Sequence, residues 1–462
     1  MTLIKSISGI RGTIGGKPSE NLTPIDAVKF AAAYGTWLKK RNGESKVKVV
    51  VGRDARISGE MVQQLVMNTL VGLGVDIIDL GLSTTPTVEV AVPMEKAEGG
   101  IILTASHNPK QWNALKLLNE KGEFLSGDDG AEILEIAETA DFNFSEVDGL
   151  GRISEVTHYI DTHIEQVLQL PLVNAELVSE AGFTVAVDAV NSTGGIAIPR
   201  LLKRLGVNVI ELYCEPTGHF PHNPEPLKEH LTEISELVKK EKADLGVVVD
   251  PDVDRLAFIS EDGEMFGEEY TLVACADYVL SKDPGNTVSN LSSSRALRDI
   301  TEKHGGQYKA SAVGEVNVVQ LMKDTNAVIG GEGNGGIIYP ELHYGRDSLV
   351  GVALFLSYLA EKKMKVSELR RSYPAYFMSK NKIELTPGLN VDHILEQVEQ
   401  KHAAEEISTI DGVKIDFADH WVHLRKSNTE PIIRIYTEAG SQQDADEAAE
   451  KMIDQIRKIA GI

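Results

Sequence analysis

Cysteine is scarce in this 462-residue chain, and long apolar runs are missing. The two cysteines, Cys214 and Cys275, stand in separate apolar contexts without the paired spacing of a metal site. The longest apolar stretch, residues 349–360, is too short to span a bilayer and predicts a core helix. The first twelve residues reach glycine and arginine too soon for a signal peptide. These features predict a reduced, cytoplasmic protein with no membrane partner.

Basic residues are also few, with 46 lysines and arginines against 69 aspartates and glutamates. The net charge of −23 argues against a general nucleic-acid binder, because a polyanion would be repelled. An anionic ligand would therefore need a local group of basic residues. With 42% hydrophobic and 25% charged residues, the chain has an ordinary globular composition, and its length predicts three or four domains.

Short β-rich runs alternate with amphipathic stretches, which is typical of α/β layers with largely parallel sheets. One unit recurs, a strand that ends at an aspartate and a turn, near residues 47–54, 183–188 and 244–250. This unit predicts tandem α/β domains with ligand contacts at the carboxyl ends of strands. Beyond residue 377 the predicted order is β-α-β-β-α. Helices are predicted at residues 24–41, 59–73, 128–140, 155–169, 225–242, 347–362 and 442–460.

Three aspartates, Asp250, Asp252 and Asp254, follow the apolar run at residues 244–249. In an extended segment alternate residues face one side, so the three carboxylates would converge. A cation is expected between them, because uncompensated like charges are costly to bury. A calcium loop is disfavoured, since Arg255 stands where that loop needs glycine. A hard divalent cation and a solvated acidic turn both stay open.

A polar turn with Ser106 and His107 follows the apolar strand that begins at residue 99. A hydroxyl beyond a sheet can face a metal or a phosphate, although an ordinary hydrogen-bonded turn explains these residues equally well. Adjacent serine and histidine side chains cannot easily pair, which argues against a serine hydrolase.

The segment at residues 331–336 is rich in glycine and matches the spacing of a dinucleotide-binding loop. Residues 337–345 do not read as the helix which that loop requires, so we reject the dinucleotide function. As a tight loop the segment would instead project the side chains of Glu332 and Asn334.

Four motifs occur in the order and approximate spacing of the α-D-phosphohexomutases, namely TASHNP at 104–109, DPDVDR at 250–255, GEGNGG at 331–336 and RKSNTEP at 425–431. The similarity spans the whole chain. This resemblance implies three tandem α/β/α domains with mixed, mostly parallel sheets and a smaller C-terminal α+β domain around a central cleft. The expected domains are residues 1–152, 153–257, 258–370 and 371–462.

The resemblance also implies a site. Ser106 would carry a phosphoryl group, and Asp250, Asp252 and Asp254 would hold Mg²⁺ with it. His107 and Lys116 resemble positions near the reacting oxygens, and either could be the general acid/base. Nearby cations are expected to help, among them Arg11, Arg53, Arg56 and Arg255. The residues expected to bind the sugar and its phosphate are Glu332, Asn334, Val313, Gly314, Arg425, Ser427, Asn428, Thr429 and Arg434.

The implied reaction interconverts hexose 6-phosphate and hexose 1-phosphate through a phosphoserine and a 1,6-bisphosphate, which also serves as activator. The enzyme would be an intramolecular phosphotransferase of the isomerase class, a monomer or homodimer that acts on small hexose phosphates. Chain length and the GEGN variant resemble members assigned to glucosamine phosphate, which we favour. The SNTEP motif resembles glucose and mannose mutases, which are the alternative. A non-catalytic sensor or a phosphatase is more distant, because Ser106 and the three aspartates are intact.

Overall fold

The computed structural model describes residues 2–6, 9–43, 45–384, 389–426 and 432–461. These residues form four domains, each with one β-sheet. The first three are α/β/α layers with mixed, mostly parallel sheets, and the fourth has an antiparallel sheet, as predicted. None of the helices in the described ranges combines the length and apolarity that a membrane crossing needs.

Domain I contains a seven-stranded sheet. Its strands are β1 (Ile4–Ser6), β2 (Gly9–Thr13), β3 (Lys48–Arg53), β4 (Asp76–Leu82), β5 (Gly99–Leu103), β6 (Trp112–Leu118) and β7 (Ile153–Glu155). Its helices are α1 (Pro24–Asn42), α2 (Gly59–Gly72), α3 (Thr85–Met94) and α4 (Gly127–Thr139). The strand order is β1-β2-β6-β5-β3-β4-β7, with β5, β3, β4 and β7 parallel. β5 is buried on both faces, as expected where helices cover both sides of a parallel sheet.

Domain II contains a four-stranded sheet of order β11-β10-β8-β9. Its strands are β8 (Thr184–Asp188), β9 (Asn208–Leu212), β10 (Leu245–Val249) and β11 (Leu256–Ser260). Its helices are α5 (Tyr159–Leu168), α6 (Ala175–Ala181), α7 (Gly194–Arg204) and α8 (Thr232–Glu241). The helix predicted from residue 225 is α8, and it begins seven residues later than expected. Two prolines, at 224 and 226, keep the preceding segment out of the α-helical conformation.

Domain III contains a sheet of order β13-β12-β14-β15. Its strands are β12 (Asn286–Asn290), β13 (Tyr308–Ser311), β14 (Ala327–Glu332) and β15 (Gly336–Ile338). Its helices are α9 (Glu268–Lys282), α10 (Ala296–Lys303), α11 (Glu315–Thr325), α12 (Ser348–Lys362) and α13 (Val366–Arg371). The apolar run at 349–360 lies in α12 and is buried throughout, which confirms the predicted core helix.

Domain IV contains an antiparallel sheet of order β16-β20-β19-β18-β17. Its strands are β16 (Phe377–Glu384), β17 (Glu406–Ser408), β18 (Val413–Asp416), β19 (His420–Lys426) and β20 (Ile432–Ala439). Its helices are α14 (Val391–Lys401) and α15 (Gln442–Ala460). The predicted order β-α-β-β-α was wrong by two strands. β17 and β18 are only three and four residues long, too short to show a clear alternating pattern.

The apolar cores are distributed unevenly among the domains. Domains II and III share one core, which runs from α5 and α7 through β10 and β11 to α9 and α12. At its centre the ring of Phe355 stacks on Phe258, with ring centroids 3.9 Å apart, and Phe266 meets both edge-on. Domain IV has a separate core.

Candidate active site

The serine turn, residues 104–112, follows the carboxyl end of β5. Ser106 has left-handed backbone geometry, with φ 48°, and its amide donates to Thr104 Oγ1 at 2.9 Å. Its side chain is buried and lies beside His107, whose Nδ1 is 3.3 Å from Ser106 Oγ. The expectation that these adjacent side chains do not easily pair was wrong, since Ser106 Oγ and His107 Nδ1 lie within hydrogen-bond distance.

Arg56 anchors the backbone of the serine turn. Its side chain is fully buried and pairs with Asp54 at 2.9 Å. Its guanidinium donates to four carbonyl oxygens of the turn, those of Ser106, Asn108, Pro109 and Trp112. Arg56 is therefore committed to the backbone of the turn. Arg53, the other arginine of this segment, donates to the side chain of Gln63 at 2.9 Å.

The acidic turn, residues 250–254, connects β10 to β11. The carboxylates of Asp250, Asp252 and Asp254 are buried, and one oxygen from each lies within 4.8 Å of the others. They converge as predicted, but the segment is a tight turn with Val253 at φ 67°, so the expectation of an extended segment was wrong. The turn brings the carboxylates together more closely than a pleated strand would, where alternate residues lie nearly 7 Å apart.

The serine turn and the acidic turn meet between domains I and II. Ser106 Oγ donates to Asp250 Oδ2 at 2.6 Å across 144 positions of sequence. Thr85 Oγ1 donates to Asp252 Oδ2 at 2.5 Å, and its amide bonds to the Asp252 carbonyl oxygen at 2.8 Å. Thr85 was not predicted from the sequence, since nothing in the local pattern marks a threonine at a helix start as an active-site residue.

The donor set of this site fits a hard divalent cation. Asp252 Oδ1 and Asp254 Oδ1 are buried and have no hydrogen-bond partner. Such orphaned carboxylate oxygens are costly unless a cation satisfies them. Together with Asp250 and the hydroxyl of Ser106 they supply the oxygen ligands that Mg²⁺ prefers.

Burial and the neighbouring charges shift the pKa values of Asp250 and Asp254 in opposite directions. Burial, with Asp252 and Asp254 close by, raises the pKa of Asp250 well above its ordinary value. Burial would also raise the pKa of Asp254, but Arg346, Lys116 and Arg255 outweigh that effect and lower it.

Two cations already contact the acidic turn. Lys116 on β6 pairs with Asp252 at 2.7 Å and with Asp254 at 3.2 Å. Burial would lower the pKa of Lys116, but these two carboxylates raise it above its usual range, so the ammonium stays charged. Arg346 pairs with Asp254 at 2.6 Å. The sequence analysis missed Arg346; its position just before Asp347, the N-cap of α12, was the only local signal.

Three further predicted residues, His107, Arg11 and Arg255, are close enough for their charges to act on one another. Burial, with Arg255 next and Arg11 also near, lowers the pKa of His107 to about 2, so the imidazole is neutral. Burial and Arg255 lower the pKa of Arg11. Arg255 pairs with Glu225 at 3.1 Å, and its amide donates to Asp250 Oδ1 at 3.1 Å. The predicted basic group therefore exists, although Arg53 and Arg56 bond elsewhere.

The glycine-rich segment at residues 331–336, called the sugar loop after its predicted role, brings several of the predicted sugar-contact residues together. Glu332 Oε1 accepts from Asn290 Nδ2 at 2.8 Å and from the Gly314 amide at 3.2 Å. Glu332 Oε2 accepts from Arg346 at 2.9 Å and from Asn334 Nδ2 at 3.4 Å. The Val313 amide, one residue before Gly314, instead donates to Asp411 of domain IV at 2.9 Å.

The C-terminal motif lies partly outside the described residues, which end at 426 and resume at 432, so the predicted Ser427, Asn428 and Thr429 are not part of this description. The flanking arginines are described. Arg425 on β19 and Arg434 on β20 are directly opposite each other, and Arg425 pairs with Asp411 at 2.9 Å. Like charges directly opposite on neighbouring strands are unfavourable unless an anion lies near.

A second group of potential metal ligands joins domains I, II and III. His163 Nε2 and His343 Nε2 contact Asp347 Oδ2 at 2.9 and 3.3 Å, and His163 Nδ1 lies 3.0 Å from Thr87 Oγ1. His343 Nδ1 faces the buried carboxyl of Glu89 at 3.4 Å. Burial and Glu315 raise the pKa of Glu89 well above its ordinary value. These side chains form a polar junction between the domains, in which both oxygens of Glu89 and Nδ1 of His343 are buried without a hydrogen-bond partner among the described residues.

Comparison with known protein families matches the chain along nearly its full length. Three domain profiles described as phosphoglucomutase/phosphomannomutase, alpha/beta/alpha domains I, II and III, match residues 3–144, 159–263 and 267–376. The profile described as the C-terminal domain of the same group matches residues 378–455.

Individual relatives are also similar to this chain along nearly its full length. A phosphoglucomutase/phosphomannomutase of Thermococcus kodakarensis is 37% identical and covers 97% of this chain and 99% of its own. A phosphoglucosamine/phosphogalactosamine mutase of Sulfurisphaera tokodaii is 32% identical, with 98% and 97% covered. The crystal structure of a phosphoglucomutase/phosphomannomutase family protein from Burkholderia thailandensis superposes with a TM-score of 0.83 at 25% identity, over 99% of this chain and 98% of that one.

Proposed function

The chain belongs to the phosphoglucomutase/phosphomannomutase family of α-D-phosphohexomutases, which are intramolecular phosphotransferases, and we propose that it works through a phosphoserine at Ser106 and a hexose 1,6-bisphosphate. The 2.6 Å contact between Ser106 Oγ and Asp250 carries this proposal, because it puts a nucleophilic oxygen against a convergent group of carboxylates. The domain limits and the residue roles given above stay predictions.

The transfer consists of two opposite exchanges. The bond from phosphorus to Ser106 Oγ breaks as a bond forms from phosphorus to the free sugar hydroxyl oxygen, and the hydroxyl proton leaves to a base. The 1,6-bisphosphate then turns around, and the bond from its other phosphorus to the sugar oxygen breaks as a new bond forms from that phosphorus to Ser106 Oγ. The base returns its proton to the departing sugar oxygen. Asp250, Asp252 and Asp254, with the oxygen on Ser106, would hold Mg²⁺, which supplies positive charge that polarises the phosphoryl group.

His107 and Lys116 are the two candidates for moving the hydroxyl proton. His107 Nδ1 lies beside the nucleophilic oxygen at 3.3 Å, whereas Lys116 is held by two carboxylates of the acidic turn. Both stay candidates for proton transfer, and Lys116 also compensates the charge of the acidic turn. Arg11 and Arg255, on the same side as His107, would contact the phosphoryl oxygens.

The distal phosphate would bind at domain IV. Arg425 and Arg434 present two guanidinium groups from facing positions of β19 and β20, a geometry that an anion between them would stabilise. Ser427, Asn428 and Thr429 follow Arg425 in the sequence and would add hydroxyl and amide donors.

Glucosamine phosphate is the substrate that we propose. The loop that would contact the sugar contains two acceptors, the carboxylate of Glu332 and the amide oxygen of Asn334, and Glu332 suits an ammonium group at C2. Glucose or mannose phosphate is the second candidate, favoured by the 37% identical relative described as a phosphoglucomutase/phosphomannomutase. Val313 and Gly314 would line the same side of the sugar.

The decisive experiment labels the protein from a radiolabelled hexose 1,6-bisphosphate and measures turnover on glucosamine, glucose and mannose 6-phosphates. We expect the label on wild-type protein and on the control Ser281→Ala, whose serine is exposed at the end of α9. Ser106→Ala should take up no label and should lose turnover. Retention of label or turnover by Ser106→Ala would contradict the proposal.

A further inference from the structure

Arg346 is the single buried guanidinium that joins the acidic turn to the sugar loop among the described residues. Its three nitrogens contact three different carboxylates. Nη2 donates to Asp254 Oδ2 at 2.6 Å, Nη1 to Glu332 Oε2 at 2.9 Å, and Nε to Glu315 Oε2 at 3.0 Å. The Arg346 amide also donates to Glu315 Oε1 at 3.1 Å, so the backbone and the side chain are held by the same carboxylate.

The contact between Arg346 and Asp254 determines which oxygen of Asp254 is left to bind a metal ion. Arg346 and Lys116 both bond to Oδ2, and Oδ1 is left buried without a partner. A planar guanidinium held by three acceptors cannot rotate freely, so it holds the Asp254 carboxylate in one orientation. Lys116 alone would not do so, because an ammonium is a point charge on a flexible stem.

The sugar loop is bound to the Arg346 guanidinium through the carboxylate of Glu332. Glu332 uses both carboxylate oxygens on four donors, and Arg346 is the only charged one that the described residues supply. Any movement of Glu332 toward a ligand therefore pulls on the guanidinium that orients Asp254.

Gly336 is the residue that admits the arginine. A Cβ at position 336 would lie 2.3 Å from Arg346 Cδ, closer than real contacts allow. The backbone of Gly336 has no positive φ, so the neighbouring side chain, and not backbone strain, excludes a larger residue. Gly336 and Arg346 thus form a matched pair within the sugar loop.

We propose that Arg346 is a positioning residue that orients Asp254 toward the metal ion and couples the metal site to Glu332 of the sugar loop, with Gly336 as its steric partner. The proposal rests on the function proposed above for the roles of Asp254 and Glu332. It adds that ion binding and sugar contact depend on one shared guanidinium.

The test measures Mn²⁺ affinity by electron paramagnetic resonance in protein without substrate. Arg346→Gln should weaken Mn²⁺ binding about tenfold, the lower range for loss of a residue that orients a metal ligand. Arg346→Lys, which keeps the charge but loses the fork, should also weaken it. If Arg346 were only a counter-ion that competes with the metal, Arg346→Gln would tighten Mn²⁺ binding, and the proposal would be wrong.

A matched control is Arg295→Gln. Arg295 is buried to the same extent, at 8% exposure, and also contacts two carboxylates, Asp416 and Glu438. It lies between domains III and IV, so its replacement should leave Mn²⁺ affinity unchanged. An equal loss of affinity in Arg295→Gln would mean that the effect comes from general destabilisation.

Coupling is tested by a double-mutant cycle with Glu332→Gln. We expect Glu332→Gln to weaken Mn²⁺ binding several-fold in the wild type and to have little further effect in Arg346→Gln. Additive effects would overturn the coupling. Gly336→Ala should reproduce the Arg346→Gln loss, and it keeps the proposal testable if Arg346→Gln does not fold.

These outcomes are separable from the proposed function. If Ser106→Ala retains turnover while Arg346→Gln loses Mn²⁺ affinity, the phosphoserine mechanism fails and the positioning role stands. If Ser106→Ala behaves as expected while Arg346→Gln binds Mn²⁺ normally, the positioning role fails alone.

Discussion

The interface between domains III and IV differs in chemical character from the interface between domains II and III. Domains II and III share a continuous apolar core with Phe258, Phe266 and Phe355 at its centre. The contacts of domain III with domain IV are largely polar, as in the bonds from the Arg295 amide to Glu438 at 3.0 Å and from the Val313 amide to Asp411 at 2.9 Å.

The difference has a physical consequence. Separating domains II and III would expose apolar surface, at about 25 cal/mol for each Å². Separating domain IV exchanges hydrogen bonds for bonds to water, at a net cost of only about 0.5–1.5 kcal/mol each. Domains II and III should therefore move as one body, while domain IV can open. An opening of this kind would suit the proposed 1,6-bisphosphate, which has to turn around between the two proposed transfers.

The largest expected effect comes from breaking the shared core. Phe355→Ala removes the ring stacked on Phe258 and should destabilise domains II and III together by about 3–5 kcal/mol. Ile433→Ala, in the separate core of domain IV, should cost about 2–5 kcal/mol and lower only the transition of that domain. Calorimetric unfolding checks both. One transition that shifts equally in the two variants would contradict the comparison.

A substitution at Asp252 in the acidic turn should reduce activity without weakening the interface between domains II and III or the one between domains III and IV. Asp252→Asn is nearly isosteric but removes one charge from the predicted ion site, so we expect kcat to fall about 10²–10³-fold. Calorimetry should show the same transitions as the wild type. Full activity with Mg²⁺ at ordinary concentrations would contradict the role assigned to Asp252, and loss of the domain IV transition would point to a structural role.

Acid should act on the polar interface before the shared core. His423 of domain IV contacts Ser292 Oγ at 3.0 Å and the Asp411 carbonyl at 2.7 Å, and burial with Lys414 and Arg425 nearby lowers its pKa to about 4. An unfolded histidine has a pKa near 6.5, so the unfolded form binds the proton first. The contribution of His423 is therefore present above about pH 6.5 and is lost as the pH falls toward 4.

Limited proteolysis of domain IV between pH 7 and pH 4.5 measures this loss. Burial raises the pKa of Glu438 in the same interface, which acts in the opposite direction, so the wild type is compared with His423→Gln. Glutamine keeps a donor and does not titrate, and it should flatten the pH dependence. An unchanged profile in His423→Gln would show that another group is responsible.

The smallest effect is expected from a single polar contact. Asp411→Ala removes the acceptor of the Val313 amide and the partner of Arg425. We expect KM for the hexose phosphate to rise roughly 3–10-fold, with kcat and melting temperature nearly unchanged. Asp419→Ala, at an exposed aspartate beside His420, is the control and should change none of these. A large drop in melting temperature for Asp411→Ala would show that the interface is not weakly held.

Much of this site was predictable because its signals are local. The alternation of strands and helices predicted tandem α/β domains, and the apolar run at 349–360 predicted the buried helix α12. Ser106 and the three aspartates each follow a buried strand, and strand ends at one edge of a sheet lie near a common surface. The contact between Ser106 and Asp250 across 144 positions was implied by the resemblance to the phosphohexomutases and not by either local pattern.

Other features depended on the tertiary structure. The left-handed turn at Val253, the commitment of Arg56 to carbonyl oxygens of the serine turn, and the place of Arg346 between Asp254 and Glu332 have no local signature. A side chain's partner is set by which strands and turns become neighbours after folding, and Asp254 and Arg346 are 92 positions apart. The sequence by itself determined which chemical groups are available and at which strand ends they stand. Only the packing of the four domains decided which charges meet, because burial makes each unpaired charge costly and selects the arrangement in which partners are within reach.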